Sequence, residues 1–173
     1  RYFAMDARFS YPNFYQCVFP RGFLHSQEKN MKKWEGMLPR TRIFDQMDND
    51  FASAAEDEFA LCSLTGYSPY MGWSFPQQWD HYYRYLTFRT VAASELHEWK
   101  ESFAYFVKKI QYHTGKRVVL KSPPHTCRIK LLLELFPGAK FVHIRRHPLA
   151  VFPSTKKMLA TFLKSTQLQS YDP

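Results

Sequence analysis

An α/β domain built on an open, parallel sheet is the fold class the sequence predicts, and three observations predict it. From residue 94 onward the apolar pattern runs helix, strand, helix, strand, helix, which is the rhythm of βαβ units. The strand segments 15–19 (YQCVF), 117–120 (RVVL) and 140–144 (KFVHI) are short runs rich in β-branched and aromatic residues, as in strands buried on both faces. A chain of 173 residues, 45% apolar and 18% aromatic, can also bury a core of its own.

The helices follow from spacing and punctuation. Over 94–113, Leu96, Trp99, Phe103, Phe106 and Ile110 recur three or four residues apart, Ser94 offers a cap and Gly115 a stop. A shorter, leucine-rich helix is expected near 126–136, opened by Thr126 and ended by Pro137-Gly138. A proline inside a helix costs ~3 kcal/mol but almost nothing at the first helical position, so the last helix is expected to start at Pro153, with Ser154 in its first turn. No repeat, low-complexity tract or linker divides the chain, and one domain over 1–173 suffices. Residues 66–83 (GYSPYMGWSFPQQWDHYY) fit either an acceptor-pocket wall or ordinary aromatic packing.

Lys and Arg exceed Asp and Glu by 24 to 15, a net charge of +9, which favours an anionic partner without naming it. Cys17, Cys62 and Cys127 are odd in number and never in a C-x-x-C pair, so neither a disulfide framework nor a zinc knuckle is indicated. His97-Glu98-Trp99-Lys100-Glu101 has Glu where a zinc protease needs its second His, and no metal is expected. Walker A, G-x-G-x-x-G and G-x-S-x-G patterns are missing from the sequence, and its aromatics are not interleaved with Lys and Arg as an RNA-binding strand requires. Unpaired cysteines, with neither a signal peptide nor a membrane-spanning run, favour a cytoplasmic placement.

Ligands of open α/β sheets bind beyond the carboxyl ends of the strands. That places Lys121-Ser122-Pro123-Pro124-His125 and Arg145-Arg146-His147-Pro148 at one basic edge. Arg146 at a buried strand end needs an anion or a carboxylate, and Ser154 at a helix start would meet free N–H groups and the positive end of the helix dipole. A phosphate clamp and a purely structural pairing both satisfy that spacing.

Residues 120–155, LKSPPHTCRIKLLLELFPGAKFVHIRRHPLAVFPST, resemble the sulfotransferase pattern, as do Met5–Asn13 and the cluster from Glu56 to Leu61, which are similar to its broad, largely bacterial-type branch. The resemblance implies a three-layer α/β/α, P-loop-like fold, incomplete at its N-terminus, and transfer of a sulfuryl group from 3′-phosphoadenosine 5′-phosphosulfate to an acceptor hydroxyl or amine. It implies that Arg146 and Ser154 bind the 3′-phosphate, with Arg145 or Lys156 secondary, and that Lys121 touches the bridging and sulfuryl oxygens. Such transfer benefits from a base, for which Glu56 is favoured over Glu58 among three consecutive acids that would equally suit a first helical turn. His125 is a further base candidate, although the familiar histidine stands two after the lysine, where this chain has Pro123.

The family's upstream 5′-phosphosulfate loop is not found in this sequence. The first residues resemble the tail of the helix that follows that loop, and the end at Tyr171-Asp172-Pro173 looks early. The 173-residue piece is therefore expected to be inactive alone. The rivals are a P-loop-type kinase or phosphotransferase and a noncatalytic basic module that binds polyanions. The sequence does not choose among acceptors, nor fix the oligomeric state.

Overall fold

The structure, a computed structural model, describes residues 5–41 and 49–170. Arg1–Ala4 and Tyr171–Pro173, on which the readings of the two chain ends bear, lie outside the described residues.

The sheet is parallel and short. Strand β1 (Phe9–Ser10) lies beside β2 (Arg117–Val118), pairing Phe9 with Arg117 and Ser10 with Val118, and the Val119 N–H extends the ladder to the Ser10 carbonyl at 2.8 Å. The expected strand at 117–120 is thus present over its first two residues. Residues 15–18 of the expected strand at 15–19 instead lie in helix α1 (Phe14–Val18), with Phe19 following its end. Asn13 Oδ1 accepts from the Gln16 N–H at 2.9 Å while Gln16 Oε1 accepts from the Asn13 N–H at 3.0 Å. This reciprocal cap satisfies two amides of the first turn and outweighs the strand preference of the Tyr, Val and Phe side chains.

Helices α2 (Phe23–Lys33), α3 (Asp57–Thr65), α4 (Met71–Ser74) and α5 (Trp79–Tyr83) precede the long α6 (Ala93–Thr114). The predicted 94–113 helix is therefore correct to within a residue. Its start is fixed by the Ala92 N–H donating to Glu95 Oε2 at 3.0 Å, so Ser94 lies inside the helix rather than capping it. Gly115 ends it in the left-handed region at φ +66°, where a side chain would be strained.

Two buried clusters meet along α6. Phe106 and Ile110 pack with Tyr15, Cys17, Phe23, Ala60 and Leu64; Trp99 and Phe103 pack with Leu61, Tyr85, Phe88 and Leu132. Full burial of one such side chain stabilises by ~1.5–3 kcal/mol. The two clusters therefore fix α3 against α6, and α6 leads directly into β2.

Beyond β2, the expected helix at 126–136 is divided into a tight 3₁₀ turn, Pro123–Cys127, and α7 (Ile129–Leu135). Residues 140–144 form no strand: Phe141, Val142 and Ile144 are 44%, 71% and 75% exposed. A strand needs a neighbour to take its backbone hydrogen bonds, and among the described residues β2 pairs with β1 alone. Helix α8 (Pro148–Thr166) begins at Pro148, not Pro153. Pro148 occupies the tolerated first position, and His147 caps it, with Nδ1 accepting from the Leu149 N–H at 3.3 Å. Pro153 lies inside the helix and Ser154 in its second turn. The described architecture is a helix-rich α/β fold around a two-stranded parallel sheet; a three-layer sandwich is not formed by these residues.

Candidate active site

The start of α3 and the loop after β2 build one polar cluster. Glu56 is the residue before the helix, in an extended conformation, but its side chain does not cap α3. Ser122, 64 residues beyond Glu58, does that work: its Oγ accepts from the Glu58 N–H at 3.1 Å and donates to Asp57 Oδ1 at 2.9 Å. Capping from a distant loop leaves the Glu56 carboxylate available for other partners.

Three consecutive acids then take three separate partners. Glu58 is fully buried and bound by Arg128, Nη1 to Oε2 at 2.6 Å and Nη2 to Oε1 at 3.1 Å, while Ser68 Oγ donates to Oε1 at 2.6 Å. Arg128 also donates to the Tyr85 carbonyl from Nη2 at 2.6 Å and lies 5.1 Å from the ring centroids of both Phe88 and Trp99. This satisfied, dry pair lies inside the core. Asp57, also fully buried, meets His125 Nε2 at 2.6 Å. Glu56 is the outermost: its Oε2 accepts from the Tyr70 hydroxyl at 2.5 Å and its Oε1 from Lys121 Nζ. The Lys121 side chain is 69% exposed and the Glu56 side chain 21%.

Burial opposes charge on both members of the Asp57–His125 pair, but their mutual attraction prevails. The Asp57 carboxyl, despite desolvation, is held below its usual range by the His125 ring and by hydrogen bonds from His125 and Ser122. The His125 ring is held above its usual value by the Asp57 charge and hydrogen bond, again against desolvation. Its Nδ1 is buried without a partner among the described residues, so the ring acts through Nε2. Burial first, and the Glu56 charge and hydrogen bond next, push the Tyr70 hydroxyl well above its ordinary range. Tyr70 therefore remains a protonated donor at any working pH.

Among the described residues, none of the expected phosphate-binding side chains is hydrogen-bonded or ion-paired to this cluster. Arg145, Arg146, Ser154 and Lys156 are all exposed, the arginines before α8 and the other two on it. Their surroundings suit an anion: from Phe136 to Tyr171 the chain has six Lys or Arg (Lys140, Arg145, Arg146, Lys156, Lys157, Lys164) and no Asp or Glu. An aromatic relay connects α8 to the acids. Tyr70 stacks on Trp73 at 3.9 Å, and Trp73 meets Phe162 of α8 edge-on at 4.8 Å. The stretch 66–83 thus supplies Ser68, Tyr70 and Trp73 to the cluster. A cavity of about 430 Å³ lined by Arg21, His25, Lys108, Lys109 and Tyr112 shares no residue with it. There the Lys109 ammonium is already satisfied by the Pro20 and Arg21 carbonyls and the Tyr105 hydroxyl.

Sequence comparison bears on this geometry. Residues 25–172 match the sequence profile of the Sulfotransferase family. This chain belongs to that family. Proteins from Mycobacterium bovis and Mycobacterium tuberculosis, each named omega-hydroxy-beta-dihydromenaquinone-9 sulfotransferase Stf3, are 38% identical to this sulfotransferase-family chain over 156 residues. The match covers 87% of the chain and 39% of each relative. No solved structure matches it significantly. Among the described residues no helix is long and apolar enough to cross a membrane, and no three His, Cys, Asp or Glu side chains group as metal ligands.

Sequence reasoning brought Glu56 and Lys121 forward separately and missed what surrounds them. Nothing in the local sequence marks Asp57 out from its two neighbours, or assigns a role to Ser122 or Tyr70. The pairings span 14 residues for Tyr70 with Glu56 and 70 for Arg128 with Glu58, beyond any local periodicity. One signal was readable: Arg128, just before an apolar helix, needed a buried acid as partner.

Proposed function

We propose that this chain contributes the base and a phosphate-gripping half to a sulfotransferase site that takes 3′-phosphoadenosine 5′-phosphosulfate as donor and a lipid-like alcohol as acceptor. The observation that carries the reading is Lys121 resting on Glu56, a cation and a carboxylate brought 65 residues together on the more solvent-accessible side of the acid cluster. In the reaction, Glu56 takes the proton of the acceptor hydroxyl as its oxygen forms a bond to sulfur. The bond from sulfur to the bridging oxygen breaks, and its electron pair leaves with adenosine 3′,5′-bisphosphate. Lys121 stabilises the charge that builds on that oxygen.

Arg146 and Ser154 are assigned to the donor's 3′-phosphate, with Arg145 and Lys156 adding charge. The acid-free stretch that carries them supports the assignment. Glu58 and His125, the reserve bases, are assigned structural roles, because Arg128 and Ser68 occupy Glu58 and Asp57 occupies His125 Nε2. The acceptor class rests on the mycobacterial relatives, whose name specifies a hydroxylated menaquinone. Calorimetric titration of the chain with adenosine 3′,5′-bisphosphate tests the donor assignment. Binding abolished in Arg146→Ala and weakened at least several-fold in Ser154→Ala is expected; binding indifferent to both substitutions would sink it.

A further inference from the structure

We infer that Glu56 is a latch for Lys121, and that the anion which draws Lys121 away uncovers the catalytic carboxylate in the same movement. The inference rests on the sulfotransferase reading of the site and adds a coupling between its two halves.

The two partners of Glu56 are unequal. Tyr70 is 8% exposed, with its ring stacked on Trp73 at 3.9 Å and packed on Phe59 at 5.3 Å, and its own N–H is held by Ser68 Oγ at 3.1 Å. Its hydroxyl is a fixed donor to Oε2. Lys121 reaches the other oxygen, Oε1, on a side chain that is mostly in solvent, with four rotatable carbons and no other hydrogen bond among the described residues. An exposed ion pair of this kind is weak, so a phosphate or sulfuryl group, carrying more charge and more acceptor oxygens, competes for the ammonium successfully.

Exchange of Lys121 from carboxylate to anion leaves Oε1 without its donor while Tyr70 still holds Oε2. The carboxylate then stays in place, held by Tyr70, with Oε1 uncovered for the acceptor. The carboxylate is therefore uncovered where and when an anion is bound. Asp57, Glu58, His125 and Arg128 are the charged groups behind Glu56. They are tied to one another and are not displaced by the exchange.

Two effects predict that Glu56→Gln tightens anion binding, namely release of the latch and simple loss of repulsion between Glu56 and the phosphate, and a double-mutant cycle separates them. The probe is adenosine 3′,5′-bisphosphate, titrated by calorimetry into the chain, Glu56→Gln, Lys121→Met and the double variant, with thermal melts to confirm folding. The latch predicts that Glu56→Gln lowers Kd about two- to five-fold in the natural background and leaves it unchanged beside Lys121→Met. Equal tightening in both backgrounds means repulsion alone and overturns the latch while leaving the donor assignment intact. No tightening in either background also overturns it. Loss of all bisphosphate binding by the unsubstituted chain would overturn both.

Discussion

Replacement of Arg128 by Ala is the severest single change the structure identifies outside the apolar core. Arg128 and Glu58 are both fully buried, and the guanidinium makes two bonds to the carboxylate and two to the Tyr85 carbonyl, at 3.2 Å from Nε and 2.6 Å from Nη2. Its removal leaves Glu58 charged in a dry site with only Ser68 and leaves the Tyr85 carbonyl without these donors. Breaking a buried pair by deleting one partner costs about 3–5 kcal/mol. For a domain of this size each kcal/mol lowers the melting temperature by about 2–4 °C, so the expected fall is about 6–20 °C by circular dichroism. Removing both charges in the Glu58→Leu, Arg128→Met double variant is expected to cost less than Arg128→Ala alone, because no uncompensated charge remains. A melting temperature for Arg128→Ala within about 2 °C of the unsubstituted chain would refute the buried-pair reasoning.

Other outcomes follow from the same cluster and from α1. The Asp57–His125 pair should make stability dependent on pH at both ends. Asp57 lies below its ordinary 3.8, so its contribution is full above 3.8 and is lost as pH falls through the lowered value. His125 lies above its ordinary 6.5, so its contribution is full below 6.5 and is lost as pH rises through the raised value. Urea unfolding of the chain and of His125→Asn across pH should therefore show a gap that is flat between about 4 and 6.5 and narrows above; a gap that widens with rising pH contradicts the pairing. Asn13→Ala, which deletes the reciprocal cap with Gln16, should lower unfolding free energy by about 1 kcal/mol. An unchanged denaturation midpoint would mean that α1 is held by packing alone.

What the sequence disclosed was local. The spacing of Leu96, Trp99, Phe103, Phe106 and Ile110 specified α6 because one face of that helix enters both buried clusters, and Gly115 stopped it because only glycine adopts that φ without strain. The run 15–19 misled because its four apolar or aromatic residues, Tyr15, Cys17, Val18 and Phe19, fit a buried strand or a buried helix equally well. The deciding residues, Asn13 and Gln16, are a polar pair three apart at its edge. Residues 140–144 have strand composition, but strand formation is a property of pairs, and no described neighbour offers the pairing. The two prolines at 148 and 153 could each open a helix; His147 decided for the first by supplying the cap.

The site was legible in the same uneven way. Lys121 was found because it ends a strand, and Glu56 because it precedes a helix. That the two touch depends on Ser122 capping α3 and on Tyr70 arriving from a separate loop, contacts between segments that composition and periodicity do not encode.

The central claim is that the loop after β2 and the arginine–α8 segment grip one phosphorylated ligand. Amide and side-chain NMR of isotopically labelled chain, titrated with adenosine 3′,5′-bisphosphate, tests it most directly. The account predicts saturable shifts at the Lys121 ammonium, the Arg146 guanidinium and the amides around Ser154, fitting one dissociation constant. Shifts confined to the groove lined by Arg21, Lys108 and Tyr112, with Lys121 and Arg146 unmoved, would contradict it.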